Sequence, residues 1–455
     1  MIEFVKNKIA GKKILILGFG REGESSFRFF RKYFPKLQLT IADQNLHITK
    51  WEDEFTKIIA GPSYLDSINE YDFIMKSPGI KLNTISFQIP EHTITSQTSL
   101  FLEFYTRQII GVTGTKGKST TVSLIYHTIK LFTDNVVLVG NIGVPAFDAI
   151  EYINENTLIV YELSAHQLEY INKAPHIAIL LNLFQEHLDY FNSFEAYQKA
   201  KMNIKKYQNN QNDIFIYNID DPLIQQKIEI ERLPENHYGY SLNIKGGKGC
   251  WIEDNKLIFY DGISKTVIFD FKNETYLKGD HNKVNMMAAV SACKACGIPN
   301  NAIETGISSF QGLAHRLEYV GVYDEIIYYN DSIATIPEAT IQAVNTLKKV
   351  DTIILGGFDR GINYDLLIEY LITSSINNII MLGKAGKRIM MGINEKKHNS
   401  KNLFFVNSLE EGVKLAKQHT NKSGICLLSP AAASYDMFKN FEERGTVYKK
   451  LVREK

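Results

Sequence analysis

The sequence has few cysteines and no long apolar run. Only four of its 455 residues are cysteine, which is too few for a disulfide framework and suits a reducing compartment. The longest apolar run, residues 177–184, has the length of a strand and is interrupted by Asn182, so no stretch approaches the ~20 residues of a membrane span. No apolar signal core precedes Lys12. We therefore expect a cytoplasmic protein without an export signal.

An excess of charge of either sign is also missing. Lysine and arginine together number 51, and aspartate and glutamate together number 50. This balance argues against a dedicated nucleic-acid-binding protein and against binding to an anionic membrane. Hydrophobic residues make up 44% and charged residues 22% of the chain, which is typical of folded globular proteins and excludes a disordered one. We expect no nucleic acid and no membrane as partners, and an anionic ligand must be held by a local cluster of donors.

A glycine-rich run joins a buried apolar strand to a helix at residues 111–120. The backbone N–H groups of such a turn cradle phosphates, Lys118 can bridge the β and γ oxygens of a nucleotide, and Ser119 can bind Mg²⁺. The run is not a strict Walker A motif, because Val112 stands where that motif has its first glycine. The pattern predicts an ATP site formed by Gly114, Thr115, Lys116, Gly117, Lys118, Ser119 and Thr120.

The order of strand-like and helix-like segments predicts an α/β fold with three domains. Alternation of apolar strands, glycine turns and helices begins near residues 13, 108 and 351, and long helical segments suit crossovers between parallel strands. We predict a Rossmann-like domain over residues 1–107, a P-loop ATPase-like central domain with a mainly parallel sheet over 108–312, and a second Rossmann-like domain over 313–455. Short runs and turns over residues 237–278 predict antiparallel hairpins added to the central domain.

The N-terminal turn Gly18-x-Gly20-x-x-Gly23 follows the first strand, and Asp43 follows 20 residues after its last glycine. Spacing and context match the dinucleotide-binding fingerprint. The motif predicts a diphosphate at a helix N-terminus and a carboxylate near a sugar or base. NAD, FAD and a nucleotide-sugar all satisfy it, and so does a tight turn without a ligand.

Further polar residues stand at the ends of predicted strands and helices, where ligands collect in α/β sheets. Glu162 ends a strand beside the phosphate loop and could bind magnesium, although alone it is an ordinary strand-end acid. His187 follows another strand and could equally be a hydrogen-bonded structural residue. Lys201 belongs to a lysine-rich helix, which by itself indicates a solvated charged face. Asn282 and Asp331 also stand at element ends, and Ser434 belongs to a loop after the last buried strand. Arg316 and Arg360 place cations in polar turns, where they could bind phosphate or carboxylate but could equally be surface charges.

In this order and spacing, the motifs resemble those of the Mur ligases, the ATP-dependent amide ligases of peptidoglycan precursor synthesis, over essentially the whole chain. The run Asn330-Asp331-Ser332 and the C-terminal run from Ser429 to Gly445 are similar to those of the member that adds D-glutamate. The resemblance implies that ATP converts the carboxylate of UDP-N-acetylmuramoyl-L-alanine to an acyl phosphate, which the amine of D-glutamate then attacks. We expect a monomer.

The resemblance also implies a role for each motif. It implies catalysis by Lys118, His187 and Lys201, with Lys201 carbamylated, and two Mg²⁺ sites formed by Ser119, Glu162, His187 and Lys201. It implies further nucleotide contacts from Asn282, Arg316 and Asp331. It implies that UDP is bound by Gly18, Gly20, Gly23, Asp43, Ser77, Pro78 and Gly79, that Asn141 and Ser164 lie near the substrate, and that D-glutamate is bound by Arg360, Ser434 and Phe441.

Two positions depart from the family pattern. Many relatives have lysine where Ile333 and Arg360 stand. Ile333 therefore removes a cation near the transferred phosphate, whereas Arg360 keeps the charge but replaces a compact ammonium group with a planar guanidinium. Three rival functions are compatible with parts of the sequence: a folylpolyglutamate synthase-like ligase, which the UDP-type N-terminal domain argues against, a nicotinamide-dependent dehydrogenase with a regulatory ATP site, and a nucleotide switch without catalysis.

Overall fold

A computed structural model describes residues 1–82, 89–231, 233–396 and 401–454. The chain forms three mostly parallel sheets with helices between the strands, which confirms the predicted α/β class. It divides into two compact units, Met1–Thr275 with Asp280–Phe310 and Tyr276–Gly279 with Gln311–Lys455. The first unit contains two sheets, so the boundaries predicted near residues 107 and 312 stay a prediction. Within the described ranges, no helix combines the length and apolar character needed to cross a bilayer.

The first sheet has five parallel strands in the order β3-β2-β1-β4-β5. Every residue of β1 is buried, as expected for a central parallel strand covered on both faces. The strands are β1 Ile14–Leu17, β2 Leu39–Asp43, β3 Thr56–Ala60, β4 Phe73–Lys76 and β5 Ile94–Thr95. The helices are α1 Ile2–Ile9, α2 Arg21–Tyr33 and α3 Gln97–Tyr105.

The second sheet has nine strands in the order β14-β13-β12-β11-β10-β9-β6-β8-β7. The strands are β6 Ile109–Thr113, β7 Val136–Gly140, β8 Leu158–Glu162, β9 Ile177–Leu180, β10 Ile214–Asn218, β11 His237–Ser241, β12 Gly249–Glu253, β13 Lys256–Tyr260 and β14 Lys265–Asp270. The helices are α4 Lys118–Phe132, α5 Ala165–Leu168, α6 Leu188–Phe191, α7 Phe194–Lys206, α8 Pro222–Glu231, α9 Asp280–Ala295 and α10 Asn300–Ser309. Short 3₁₀ helices span Leu46–Trp51, Ile68–Glu70, Glu91–Thr93, Thr106–Gln108 and Ala146–Tyr152.

The expectation of antiparallel hairpins after residue 237 is only partly correct. Strands β12, β13 and β14 are antiparallel, but β11 pairs with β12 in parallel. Residues 242–248 carry the chain back to the starting end of β11, and Gly246 and Gly247 have positive φ angles of 99° and 82° in this return. The glycine pair predicted a turn correctly, but the turn serves a crossover rather than a hairpin.

One apolar core joins the first two sheets. Buried side chains of β1 and α2 belong to the same cluster as buried side chains of β8 and of the segment after β7. At the centre of this contact, the rings of Phe29 and Phe147 lie 4.6 Å apart. The core explains why the first two sheets form a single compact unit.

The third sheet has six strands in the order β15-β16-β20-β17-β18-β19, and only β15 is antiparallel to its neighbour. The strands are β15 Glu318–Tyr323, β16 Ile326–Asn330, β17 Val350–Gly356, β18 Asn378–Leu382, β19 Asn402–Val406 and β20 Ile425–Leu428. The helices are α11 Pro337–Leu347, α12 Asp365–Thr373, α13 Gly383–Glu395, α14 Leu409–His419 and α15 Phe441–Arg453.

Candidate active site

The phosphate loop follows β6, which lies between β9 and β8 in the second sheet, and it leads directly into α4. Gly114 and Gly117 have φ angles of 156° and 87°, which L-residues rarely adopt. A Cβ atom on Gly117 would lie 2.4 Å from Asn285 Oδ1. Asn285 in turn donates to Asn282 Oδ1 at 3.3 Å. The loop therefore requires its glycines, and the predicted nucleotide residue Asn282 is linked to the loop through Asn285.

Polar contacts hold the phosphate loop to the segment after β9. Phe184 N donates to Thr115 Oγ1 at 2.9 Å, and the Tyr197 hydroxyl donates to the same oxygen at 3.0 Å. Lys116 N donates to Asn182 Oδ1 at 2.8 Å, and Asn182 Nδ2 donates back to Lys116 O at 3.0 Å. These bonds fix the loop backbone, so its N–H groups are preorganised for an anion.

Two lysine side chains meet on one oxygen of this loop. Lys118 Nζ and Lys201 Nζ each donate to Gly114 O at 2.8 Å. Lys201 is only 1% exposed, and its Nζ lies 4.8 Å from the centre of the Tyr197 ring. Burial, together with the charge of Lys118, holds the pKa of Lys201 well below its usual value.

The solvated-face interpretation of Lys201 is therefore wrong. Helix α7 packs the face that carries Lys201 against the phosphate loop, whereas Lys199 and Lys206 lie exposed on another face. The count of lysines on the helix did not show which face is buried.

A hydroxyl and a carboxylate lie together at the start of α4. Ser119 Oγ donates to Glu162 Oε1 at 3.2 Å, and Glu162 is buried at the end of β8. Thr120 follows in the first turn of α4 and is buried. Both oxygen types suit Mg²⁺. Among the described residues, no three His, Cys, Asp or Glu side chains converge as a metal site, so an ion here must complete its shell with water or nucleotide oxygens.

His187 stands beside the loop with a left-handed backbone, at a φ of 57°. Its half-exposed side chain places Nε2 3.8 Å from Glu186 Oε2, and Glu186 also accepts from Lys116 Nζ at 2.7 Å. The ring of His166 lies 5.0 Å from the ring of His187. Burial, aided by nearby positive charges, lowers the pKa of His166 to about 4, so this imidazole is neutral at pH 7. His166 and Glu186 were not predicted as site residues from the sequence.

The N-terminal glycine turn closes on itself as the fingerprint requires. A Cβ atom on Gly23 would lie 2.0 Å from Gly18 O, so no larger residue fits. Ser77 Oγ donates to Gly18 O at 2.7 Å, and Phe19 N donates to Asp43 Oδ2 at 2.6 Å. The structure therefore brings four predicted residues together, and Gly20, Pro78 and Gly79 adjoin them along the chain.

Two side chains of this turn reach the predicted substrate residues of the second sheet. Arg21 donates to Asn141 O at 3.1 Å and also to Gly143 O. Glu22 Oε1 accepts from Gln167 Nε2 at 2.6 Å. Gln167 forms a reciprocal capping box with Ser164 at the start of α5. Arg21, Glu22 and Gln167 were missed because such contacts join residues more than 100 positions apart.

In the second unit, Asp331, Arg360 and Ser434 lie on the loops that follow β16, β17 and β20, whereas Arg316 precedes β15 and Phe441 begins α15. Asp331 is buried and accepts from Leu317 N at 3.1 Å and from Ser429 Oγ at 2.8 Å, and burial raises its pKa to about 7. Exposed Arg360 donates to Thr335 O at 2.7 Å. The other members of the set are exposed Arg316, buried Ser434 and partly buried Phe441.

Comparisons with known proteins agree with this geometry. Residues 112–293 match the model of the Mur ligase middle domain. The UDP-N-acetylmuramoylalanine–D-glutamate ligase of Acetivibrio thermocellus is 31% identical, with 98% of this chain and 97% of the relative covered. The corresponding ligase of Clostridium botulinum strain Loch Maree is 33% identical, with 98% of each chain covered.

The chain belongs to the Mur ligase family.

Solved Mur ligases share its fold. The UDP-N-acetylmuramate–alanine ligase MurC of Thermotoga maritima matches with a TM-score of 0.57 at 17% identity, covering 96% of this chain and 98% of that chain. MurF of the same organism, solved in complex with ADP, matches with a TM-score of 0.55 at 15% identity, covering 96% and 94%. In this Mur ligase, Lys118, Lys201, Ser119 and Glu162 surround one phosphate loop, whereas His187 stays half exposed beside it.

The buried carboxyl group of Glu22 generates a prediction for stability against pH. Burial raises the pKa of Glu22 to about 7, despite the hydrogen bond from Gln167 and the charges of Arg21 and Lys76. Between pH ~4.5 and ~7 the folded protein keeps a proton that the unfolded chain releases, so this group lowers stability as pH rises through that window. Glu22→Gln removes this loss. The difference in thermal midpoint between Glu22→Gln and the parent should therefore be more favourable to the variant at pH 8 than at pH 5. The gain should be roughly 2–4 °C for each kcal/mol of folding stability recovered.

Thermal unfolding of the parent, Glu22→Gln and the control Glu24→Gln tests this prediction. Glu24 lies on the same helix and pairs with Arg28 at the surface, so its variant should show little pH-dependent difference. An equal effect of Glu22→Gln at both pH values would contradict the assignment.

Proposed function

We propose that the protein joins D-glutamate to the carboxyl group of UDP-N-acetylmuramoyl-L-alanine, with ATP as the energy source, in peptidoglycan precursor synthesis. The main structural support for an ATP-dependent reaction is the phosphate loop on which Lys118 and Lys201 converge. The choice of substrates rests on whole-length relatives that are named UDP-N-acetylmuramoylalanine–D-glutamate ligases. Family membership favours a nucleotide-sugar over NAD or FAD at the N-terminal turn.

The chemistry follows from the poor reactivity of a carboxylate toward amines at neutral pH. Transfer of the γ-phosphoryl group of ATP to the substrate carboxylate gives an acyl phosphate and ADP. The D-glutamate amine then attacks the acyl carbon, the amide forms, and inorganic phosphate leaves. The loop N–H groups and Lys118 stabilise the charge that builds up when the carboxylate approaches the triphosphate.

Ser119 and Glu162 are the residues that would hold a magnesium ion. Their paired hydroxyl and carboxylate oxygens, 3.2 Å apart, are hard ligands that fit it. Such an ion offsets negative charge on nucleotide phosphates and on the transferred group. A protonated Lys201 has no lone pair for a metal, so a second ion between His187 and Lys201 would require this side chain to be deprotonated or converted to a carbamate. Of the two forms, only the carbamate adds a hard anionic oxygen ligand.

The low pKa of buried Lys201 supports a carbamate at this position. A neutral amine attacks CO₂, the new N–C bond gives a carbamate, and one proton is released to solvent. The product carries a negative charge beside Lys118, whereas the unmodified protonated side chain would add a second positive charge there. Modification thus converts an unfavourable cation pair into a favourable ion pair with a metal-binding oxygen.

The other predicted residues are proposed to bind the UDP group, the nucleotide and D-glutamate. The closed turn supports UDP binding by Gly18, Gly20, Gly23, Asp43, Ser77, Pro78 and Gly79. The contacts of Arg21 and Gln167 support Asn141 and Ser164 as neighbours of the same substrate. Asn282, Arg316 and Asp331 are proposed for the nucleotide, and Arg360, Ser434 and Phe441 for D-glutamate. The three-domain boundaries, the monomer and the cytoplasmic location stay predictions.

Removal of the Lys118 side chain tests the phosphate loop. Lys118→Ala should abolish ATP-dependent ligation, with a loss in kcat of at least about 100-fold for ~3 kcal/mol of lost transition-state stabilisation. The thermal midpoint should change little, because the side chain is only partly buried and contacts loop carbonyl oxygens. Lys130→Ala, on the exposed face of the same helix, is the control. Near-normal turnover by folded Lys118→Ala would exclude this site.

Depletion of CO₂ tests the carbamate. Turnover should fall in CO₂-free buffer and return with bicarbonate, and Lys201→Arg should lose activity under both conditions, because a guanidinium does not form a carbamate at neutral pH. Lys206→Arg, exposed on the same helix, should behave like the parent. Equal turnover with and without CO₂, together with an active Lys201→Arg variant, would rule out the modification.

A scan of amino acids tests the substrate assignment. With ATP, Mg²⁺ and UDP-N-acetylmuramoyl-L-alanine, ADP release should require D-glutamate and be at least about a thousandfold slower with L-glutamate, L-alanine or meso-diaminopimelate. Inversion at the α-carbon would displace either the amine or the side-chain carboxylate from its partners. Comparable rates with L-lysine or diaminopimelate would assign the protein to another member of the family.

A further inference from the structure

Arg444 is a buried cation in the second unit. It lies in the first turns of α15 and is 1% exposed. Within the described ranges, no carboxylate lies at ion-pair distance from its guanidinium. Burial lowers its pKa to about 10, with the charge of Asp436 opposing the shift, so the group stays protonated at neutral pH. A buried cation without a paired anion is costly, so hydrogen bonds to neutral groups must offset the loss of its hydration.

Backbone carbonyl groups of two loops surround the Arg444 guanidinium. Nη2 donates to Ser332 O at 2.8 Å, and Nε donates to Ser332 Oγ at 3.0 Å. On the other side, Nη1 donates to Ala432 O at 3.1 Å and to Ala433 O at 3.3 Å. Arg444 therefore holds the loop after β16 and the loop after β20 at a fixed separation.

The same cluster includes the start of α15 and the loop after β17. Ser332 Oγ donates to Phe441 O at 2.8 Å, and Phe358 N donates to Ala433 O at 2.9 Å. A Cβ atom on Gly357 would lie 3.2 Å from Arg444 Nη1, so the β17 loop packs directly against the guanidinium. Three loops and the start of α15 thus meet around the Arg444 guanidinium, either directly or through Ser332 and Ala433.

These segments carry the residues proposed for D-glutamate. Ser434 follows Ala433, Phe441 is linked through Ser332, and Arg360 belongs to the loop that pairs with Ala433. Asp331 adjoins Ser332 in the loop after β16, and its carboxylate is held by separate bonds from Leu317 N and Ser429 Oγ.

We infer that Arg444 is a positioning residue for the amino-acid substrate, which sets the relative positions of Ser434, Phe441 and Arg360 without contacting the substrate itself. The inference rests on the proposed function. A planar fork can bind carbonyl groups of both loops at once, whereas a lysine ammonium at this position retains the charge but not the fixed directions of the donors. Small displacements of binding groups reduce rates strongly, so loss of the guanidinium should mainly weaken the binding and use of D-glutamate.

The test is the set of Michaelis constants of Arg444→Lys for the three substrates. The KM for D-glutamate should rise about tenfold or more, or kcat/KM for D-glutamate should fall by a factor approaching 100, as expected for a misplacement of about 1 Å. The KM for ATP should stay within about twofold of the parent, because the contacts of Asp331 are retained. Arg453→Ala, exposed on the same helix, controls for charge, and Tyr448→Phe, buried on that helix, controls for stability.

A second variant covers the case in which Arg444→Lys does not fold. Ser332→Ala keeps the buried volume but removes the oxygen that links Arg444 Nε to Phe441 O, so it should raise the KM for D-glutamate several-fold with an unchanged KM for ATP. In addition, guanidinium ion at millimolar concentration should restore part of the D-glutamate affinity of Arg444→Ala, whereas ammonium ion should not.

Three results would contradict the role assigned to Arg444. Folded Arg444→Lys or Ser332→Ala with the parent's KM for D-glutamate would overturn the inference, as would a proportional rise of all three constants that tracks loss of thermal stability. A parent protein that releases no ADP with D-glutamate would overturn the proposed function, and the inference with it.

Discussion

The crowding of positive charge on Gly114 O is the constraint on which the active site depends. Lys118 Nζ and Lys201 Nζ both lie 2.8 Å from this oxygen, so the two nitrogens are no further apart than twice that distance. Two ammonium groups at such a separation repel each other by about 3 kcal/mol at an effective dielectric constant of 20. Deprotonation of Lys201, its carbamylation or a bound nucleotide each relieves this repulsion. The site is therefore built for anions.

The second sheet and the bonds of the phosphate loop hold Lys118 and Lys201 in place. Strand β6 lies inside the nine-stranded sheet, and the loop after it is bonded to Asn182, Phe184 and Tyr197. A shared apolar core and the contact of Arg21 with Asn141 join the N-terminal turn to the same sheet. The turn proposed for UDP and the loop proposed for the triphosphate thus belong to one compact unit, which suits a substrate that is bound at one end and activated at the other.

Local patterns in the sequence predicted the parts of the site that depend on neighbouring residues. The phosphate loop and the Gly18–Gly23 turn were predictable, because a strand, glycines and a helix start follow each other directly along the chain. The burial of Lys201 was not, because it depends on which face of α7 packs against a loop formed 87 residues earlier. The same limit applies to the pairing of Glu22 with Gln167 and to the loops around Arg444, since tertiary packing alone creates these contacts.

The most direct test of the central claim follows the oxygen atoms of the substrate. UDP-N-acetylmuramoyl-L-alanine labelled with oxygen-18 in both carboxylate oxygens is incubated with ATP, Mg²⁺ and D-glutamate, and the inorganic phosphate is analysed by mass spectrometry. Formation of an acyl phosphate predicts that one labelled oxygen enters each phosphate released, while the other stays in the amide. Amide formation with unlabelled phosphate would contradict the account.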